Sequence, residues 1–313
     1  MDEAVCRNCG AALPRVALVC PRCGNPVFLL AGRRTRQRRD AAMVGMAGSL
    51  LMCAQSAFML AGGSVALAAL AAATRGDVAA AYSTAGTAAI LVGFTLLFDL
   101  VGVLLLVLSF HRYTRAVTAG ATMAAADPQR RAFVLQGRVA SALLALWLLV
   151  TVAWRAALAS LISFYPTPFA RIEGVNLAEV QRAASIMLSL WVVAAFLLFL
   201  GAVFGTRFLL RARGVPLTFP RLLWPLETLV HAGAAATVLV VAPGLLAGPN
   251  LLELSSLAVV QTLGAIELLV VPVLGLLAYA SLFLEFSRLH RAAQDVRVAA
   301  SAAVPTDPPA GEP

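Results

Sequence analysis

The chain has 313 residues, 61% of them hydrophobic and only 12% charged, with a mean hydropathy of +0.88. Those values exclude an ordinary soluble domain and leave room for one membrane domain with a small appendage. The formal net charge of +9 invites a nucleic-acid reading, but its 24 basic residues are all arginine and avoid the long apolar stretches, as charges kept out of hydrocarbon do. Arginine without lysine in an Ala-rich chain reads as the coding bias of a GC-rich bacterial genome. The acidic start, Met1-Asp2-Glu3-Ala4-Val5-Cys6, has no apolar h-region, so no cleaved signal peptide is expected.

Residues 1–31 carry the first motif. Cys6-Arg7-Asn8-Cys9-Gly10 and Cys20-Pro21-Arg22-Cys23-Gly24 are two Cys-x-x-Cys-Gly knuckles. Each spacing lets a tight turn aim two thiolates at one ion, and two such pairs complete a tetrahedral four-cysteine site. Gly10 and Gly24 stand where a backbone free to take positive φ folds back over the sulfurs. The pattern resembles the minimal bacterial zinc-ribbon module, CxxCG…CPxCG, from Cys6 to about Pro26. Paired disulfides would need an oxidising compartment, and a redox motif would need a βαβ setting. The expectation is structural Zn2+ on Cys6, Cys9, Cys20 and Cys23, a closed site that folds the module and does not activate water.

Residues 32–40 hold Arg33, Arg34, Arg36, Arg38 and Arg39, a basic juxtamembrane linker expected to lie on anionic lipid head groups. A ribbon beside arginines also fits nucleic acid. The module offers no Trp or Tyr and only Phe28 for stacking, so no specific nucleic-acid partner is expected.

From residue 41 to 292 the apolar runs predict six transmembrane helices, each long enough to cross the hydrocarbon. They fall at about 41–73, 85–110, 139–161, 186–210 and 226–242, with the sixth running from Asn250 to Phe286. Asp127-Pro128, Asn176-x-x-Glu179 and Asn250-x-x-Glu253 read as helix starts. Residues 293–313 are Ala/Pro-rich and are expected to be a disordered cytoplasmic tail. Arginines number eight before the first span, then five and four in the second and fourth loops and three after the sixth span. The remaining loops hold one, two and none, so the positive-inside rule places both termini in the cytoplasm. The expected localisation is the bacterial inner membrane, a reducing side that favours zinc over disulfide.

Leu108-x-Phe110-x-Arg112-x-x-Arg115-Ala116 recurs as Leu284-x-Phe286-x-Arg288-x-x-Arg291-Ala292, with a poorer copy at Phe204, Arg207 and Arg211. Each marks a helix leaving the membrane on the same side, as three hairpins of like topology would. Convergence on interfacial aromatics and arginines explains the pattern as well. Gly201-x-x-x-Gly205 reads as an internal packing face.

Two carboxylates fall inside spans, Asp99 and Glu267, with Arg155 in or beside a third. Intramembrane carboxylates suggest an ion or proton site. Pro272 strengthens that suggestion by removing the hydrogen bond to the Leu268 carbonyl, beside Glu267. Counted along straight helices, Glu267 lies roughly 12 Å nearer the outer face than Asp99, which disfavours a shared site. The plainer alternative is one carboxylate paired with Arg155, or protonated against Gln55, Gln261 or His231. His231 itself reads as interfacial. No HExxH, GxSxG, Walker A or GxGxxG motif is present, and no enzyme activity is expected.

The reading is an all-α membrane protein of six transmembrane helices with a small N-terminal four-cysteine zinc ribbon. The ribbon is expected to meet a cytoplasmic protein partner as an assembly or regulatory module. The alternative is a secondary transporter or channel using Asp99 and Glu267. The organisation is loosely similar to the paraquat-inducible protein A family, whose double-CxxC segment precedes its helices, but none of that family's helix motifs is present.

Overall fold

The computed structural model describes residues 4–5, 12–13, 27–118, 128–164, 177–213, 219–247 and 262–302, with most side chains from Thr35 onward. The four cysteines of the expected zinc site lie outside the described residues. Strands β1 (Ala4–Val5) and β2 (Ala12–Leu13) pair antiparallel, Ala4 opposite Leu13 and Val5 opposite Ala12. In sequence they flank the first knuckle.

The rest is helical, as backbone in hydrocarbon must be, because only a helix or a closed barrel satisfies its own amide groups there. The elements are α1 (Val27–Thr74), α2 (Val78–Thr118), α3 (Pro128–Phe164), α4 (Leu177–Arg213) and α5 (Phe219–Ala247). A π-helical turn (Ile266–Val270) then leads into α6 (Val271–Ala302). Six segments are long and apolar enough to cross a membrane: Thr35–Ala69, Phe94–Ala116, Arg131–Trp154, Ser185–Ala212, Phe219–Val240 and Thr262–Gln294. The chain is therefore a multi-pass membrane protein.

Two boundaries differ from expectation. The arginine segment 32–40 is no separate linker, since α1 begins at Val27 and runs through it into the first span. Its Leu, Ala and Arg are strong helix formers with no Pro to stop them. At the other end Ala292, Ala293, Ala299, Ala300 and Ala302 carry α6 on to Ala302, and residues 303–313 of the expected tail lie outside the described residues.

The first hairpin turns in three residues. Gly76, at φ 78°, takes the left-handed position that a side chain would oppose. Its neighbours close a Schellman-type end, with Asp77 N–H donating to the Ala72 carbonyl at 3.1 Å. Asp77 Oδ1 then accepts from Ala80 N–H at 3.0 Å and caps α2.

Each helix packs on the next, and α6 returns to α1, so the six form a closed ring. Lipid is as apolar as Leu, so small residues that let backbones approach hold such helices together. Between α1 and α2 that role falls to Gly48 and Gly102, where an added Cβ on either would meet the opposite backbone. Nearby, Ser109 Oγ donates to the Ala41 carbonyl at 2.8 Å. Gly201 and Gly205 also pack internally, against Leu144 and against Trp224 and Phe110 respectively.

The core centres on Phe110, which is fully buried. Its ring centroid lies 5.7 Å from Phe208, 5.9 Å from Phe286 and 6.3 Å from Trp224, so α2, α4, α5 and α6 meet there. This corrects the interfacial reading of the repeated motif. Phe110 and Phe286 turn inward while Arg112 and Arg291 are exposed. In α4 the equivalent aromatic is the buried Phe208 and not Phe204.

Candidate functional site

On the far side of this aromatic layer from the arginine-bearing helix ends, four ionisable side chains lie within electrostatic reach of one another. Asp99 comes from α2, Glu227 and His231 from α5, and Glu267 from the π-turn. Glu227 and His231 are four residues apart, so they share one face of α5. His231 Nδ1 lies 2.8 Å from Glu267 Oε2, and the edge of Trp191 from α4 meets the His231 ring at a centroid distance of 5.8 Å. Asp99 and Glu267 both act electrostatically on Glu227 and His231, and Asp99 and Glu227 both act on the buried Tyr279 of α6. Asp99 and Glu227 are 8% and 6% exposed. The second oxygen of each glutamate, Glu227 Oε2 and Glu267 Oε1, is buried with no hydrogen-bond partner.

Glu267 sits level with His231 of α5, and the register of the two helices accounts for it. Ser281 Oγ donates to the Pro220 carbonyl at 2.9 Å and fixes the register of α6 on α5. From that contact His231 lies about 16 Å along α5 and Glu267 about 21 Å along the last helix at 1.5 Å per residue. Two side chains span the difference of about 5 Å. The local cause of the π-turn is Pro272, which cannot donate to the Leu268 carbonyl. The chain widens by one residue instead of breaking, and Gly63 of α1 packs directly on that freed carbonyl. Single π-turns of this kind recur at functional sites.

The partners anticipated for the carboxylates separate as follows. Glu267 takes His231, which is therefore a partner inside the bundle and not an interfacial residue. Gln55 accepts from Ser56 Oγ at 3.2 Å. The side chain of Arg155 and the whole of Gln261 lie outside the described residues. Among the described residues, no group of three or more His, Cys, Asp or Glu could hold a metal ion. Glu227 is the residue sequence reasoning missed. Its four-residue spacing from His231 was nevertheless legible.

A second buried group lies nearer the arginine-bearing ends. Glu285 of α6, 6% exposed, receives Arg221 Nε of α5 at 3.2 Å and Arg288 Nη1 at 3.0 Å. It abuts a cavity of about 20 Å³ also lined by Thr206, Trp224 and Ser281, room for one water. At the same end His290 Nδ1 approaches the Arg39 carbonyl at 3.5 Å, tying α6 to the arginine-bearing part of α1. Of the five run arginines, Arg36 and Arg38 are exposed and Arg39 is half-buried beside Asp40, at 3.6 Å. The side chains of Arg33 and Arg34 lie outside the described residues.

No family model matches the chain, and neither the curated proteins nor the solved structures gave a significant match.

Proposed function

We propose that this chain is a non-enzymatic inner-membrane protein of a bacterium, and that its N-terminal segment is a zinc ribbon serving as a protein-interaction or regulatory module. Cys6, Cys9, Cys20 and Cys23 hold the zinc, and both termini face the cytoplasm. The observation that supports this most is the continuity of α1. The helix starts four residues after Cys23, carries the arginine run and enters the bundle without a break. The run then lies along the anionic inner leaflet, each arginine contributing on the order of 1 kcal/mol. Because α1 packs on both α2 and α6, a partner on the ribbon acts on the two helices that carry Asp99 and Tyr279. The β1–β2 pairing around the first knuckle fits a ribbon hairpin. Affinity capture from membranes tests the idea. Partners recovered with the parent should be lost with Cys6→Ser/Cys9→Ser, and identical recovery from both would sink it.

A second reading is favoured by the convergence of Asp99, Glu227, His231 and Glu267. Ionisable groups facing one another inside a bundle are how transporters and pumps build proton relays. In this reading the bundle supports proton- or ion-coupled flux. Asp99→Asn or Glu267→Gln should abolish that flux in proteoliposomes, and unchanged flux in both removes the reading.

A further inference from the structure

We propose that the lipid-facing groove between α1 and α6, at their arginine-bearing ends, binds one anionic glycerophospholipid, with its phosphate on Arg39 and an acyl chain along Met43 and Leu50. Both helices build the head-group end. His290 Nδ1 approaches the Arg39 carbonyl at 3.5 Å, so this part of α6 lies beside this part of α1. Gln294, one turn on, places Nε2 3.0 Å from His290 Nε2, and Arg291 Nη2 donates to Ser287 Oγ at 3.3 Å. Arg291 and Gln294 are both exposed, so polar side chains of α6 stand open to the bundle exterior at the level of Arg39. Behind them the helices close on each other, since the Phe286 ring packs where a Cβ on Gly45 would stand.

Arg39 differs from its neighbours in the run. Arg36 and Arg38 are exposed, whereas the Arg39 side chain is 27% exposed and its Nε is buried with no hydrogen-bond partner. Asp40, the one acid in α1, places Oδ1 3.6 Å from Arg39 Nη2, too long for a hydrogen bond. A guanidinium held at a helix junction and short of acceptors is completed by an oxyanion reaching its exposed edge, and phosphate matches that planar fork. The occupant is a lipid because the groove continues into the membrane. Met43 and Leu50 follow Arg39 by four and eleven residues, so the three fall within about 40° of one another on one face of α1. Met43 is 48% exposed and Leu50 61% exposed, while Leu284 of α6, seven residues before Arg291, is 50% exposed. An acyl chain covers such a stripe while its head group meets the cation, and basic pockets between membrane helices hold anionic lipids in this way. A soluble anion gains nothing from the stripe.

The site depends on neither the ribbon nor the flux reading, so its failure leaves both standing. The purified full chain is examined by native mass spectrometry in detergent after addition of phosphatidylglycerol, phosphatidylcholine with the same acyl chains, or inorganic phosphate. One phosphatidylglycerol per chain should be retained in preference to phosphatidylcholine. Arg39→Gln should lower that retention about tenfold, the loss of one charge-assisted hydrogen bond. Arg207→Gln, which removes the same charge from an exposed position on α4, should leave it unchanged. In liposomes, a phosphatidylglycerol analogue with a photoreactive head group should label residues 36–43 of α1 and 287–294 of α6. That measurement needs only the parent, so it decides the matter if Arg39→Gln fails to fold. Equal losses in Arg39→Gln and Arg207→Gln mean diffuse attraction to a basic surface and overturn the site. Equal retention of phosphatidylcholine, displacement of the lipid by inorganic phosphate, or labels confined to other helices each overturn it as well.

Discussion

Replacing Phe110 by Ala should destabilise the bundle far more than any lipid-facing truncation. Phe110 is fully buried where α2 meets Phe208, Trp224 and Phe286, whose centroids lie 5.7, 6.3 and 5.9 Å away. Truncation vacates on the order of 100 Å³, and at about 24 cal/mol per Å³ the cavity alone costs roughly 2.4 kcal/mol. The transfer contribution is smaller than in a soluble core, because the separated helix would rest in lipid as apolar as the site it left. The estimate is therefore about 2–3 kcal/mol. Leu149 is 69% exposed on the bundle exterior, and Leu149→Ala should change stability by less than about 0.5 kcal/mol. The assay is unfolding in mixed micelles titrated with a denaturing detergent, followed by helical circular dichroism. If Phe110→Ala costs no more than Leu149→Ala, the aromatic layer is not the packing centre of a closed ring, and the corrected reading of the repeated motif fails with it.

Three further outcomes follow from the buried polar groups and the arginines. Arg221→Ala removes one of the arginines that hold the buried Glu285 and should cost about 3 kcal/mol, at the low end for breaking a buried pair; adding Glu285→Gln should recover most of it in the same unfolding assay. A double-mutant cycle on His231→Asn and Glu267→Gln should return a coupling of about 1–3 kcal/mol, and a value near zero would mean the 2.8 Å contact is not a stabilising bond. Replacing Arg33, Arg34, Arg36, Arg38 and Arg39 together by Asn should place a fraction of N-termini on the wrong side of the membrane, read with a topology reporter fused before Met1; an unchanged orientation would show that the other basic segments set it alone.

Much of this architecture is legible in the sequence because lipid leaves the backbone few options. Six apolar runs become six spans, and arginines concentrate at one set of helix ends. What pattern cannot reveal is which face of an apolar helix looks inward. Phe110 and Phe286 follow the same local rule as interfacial aromatics, and only the ring of neighbours decides that they meet in the core. Asp99 and Glu267 stand out as charges in hydrocarbon, yet the pattern along one helix does not say which residue of another helix lies level with it. The Ser281–Pro220 contact sets the register of α6 on α5 and brings Glu267 of the π-turn to His231. Glu227 drew no notice because it stands at the edge of the apolar run that begins at Leu226, while α5 itself starts at Phe219, so Glu227 falls about two turns inside the helix.

Central to the proposed function is the proposed zinc ion on Cys6, Cys9, Cys20 and Cys23. Metal content of the purified full-length protein, determined by elemental analysis after exhaustive dialysis, tests it directly. One zinc per chain is expected in the parent and none in Cys6→Ser/Cys9→Ser. A parent free of zinc, or a variant that retains it, would contradict the account.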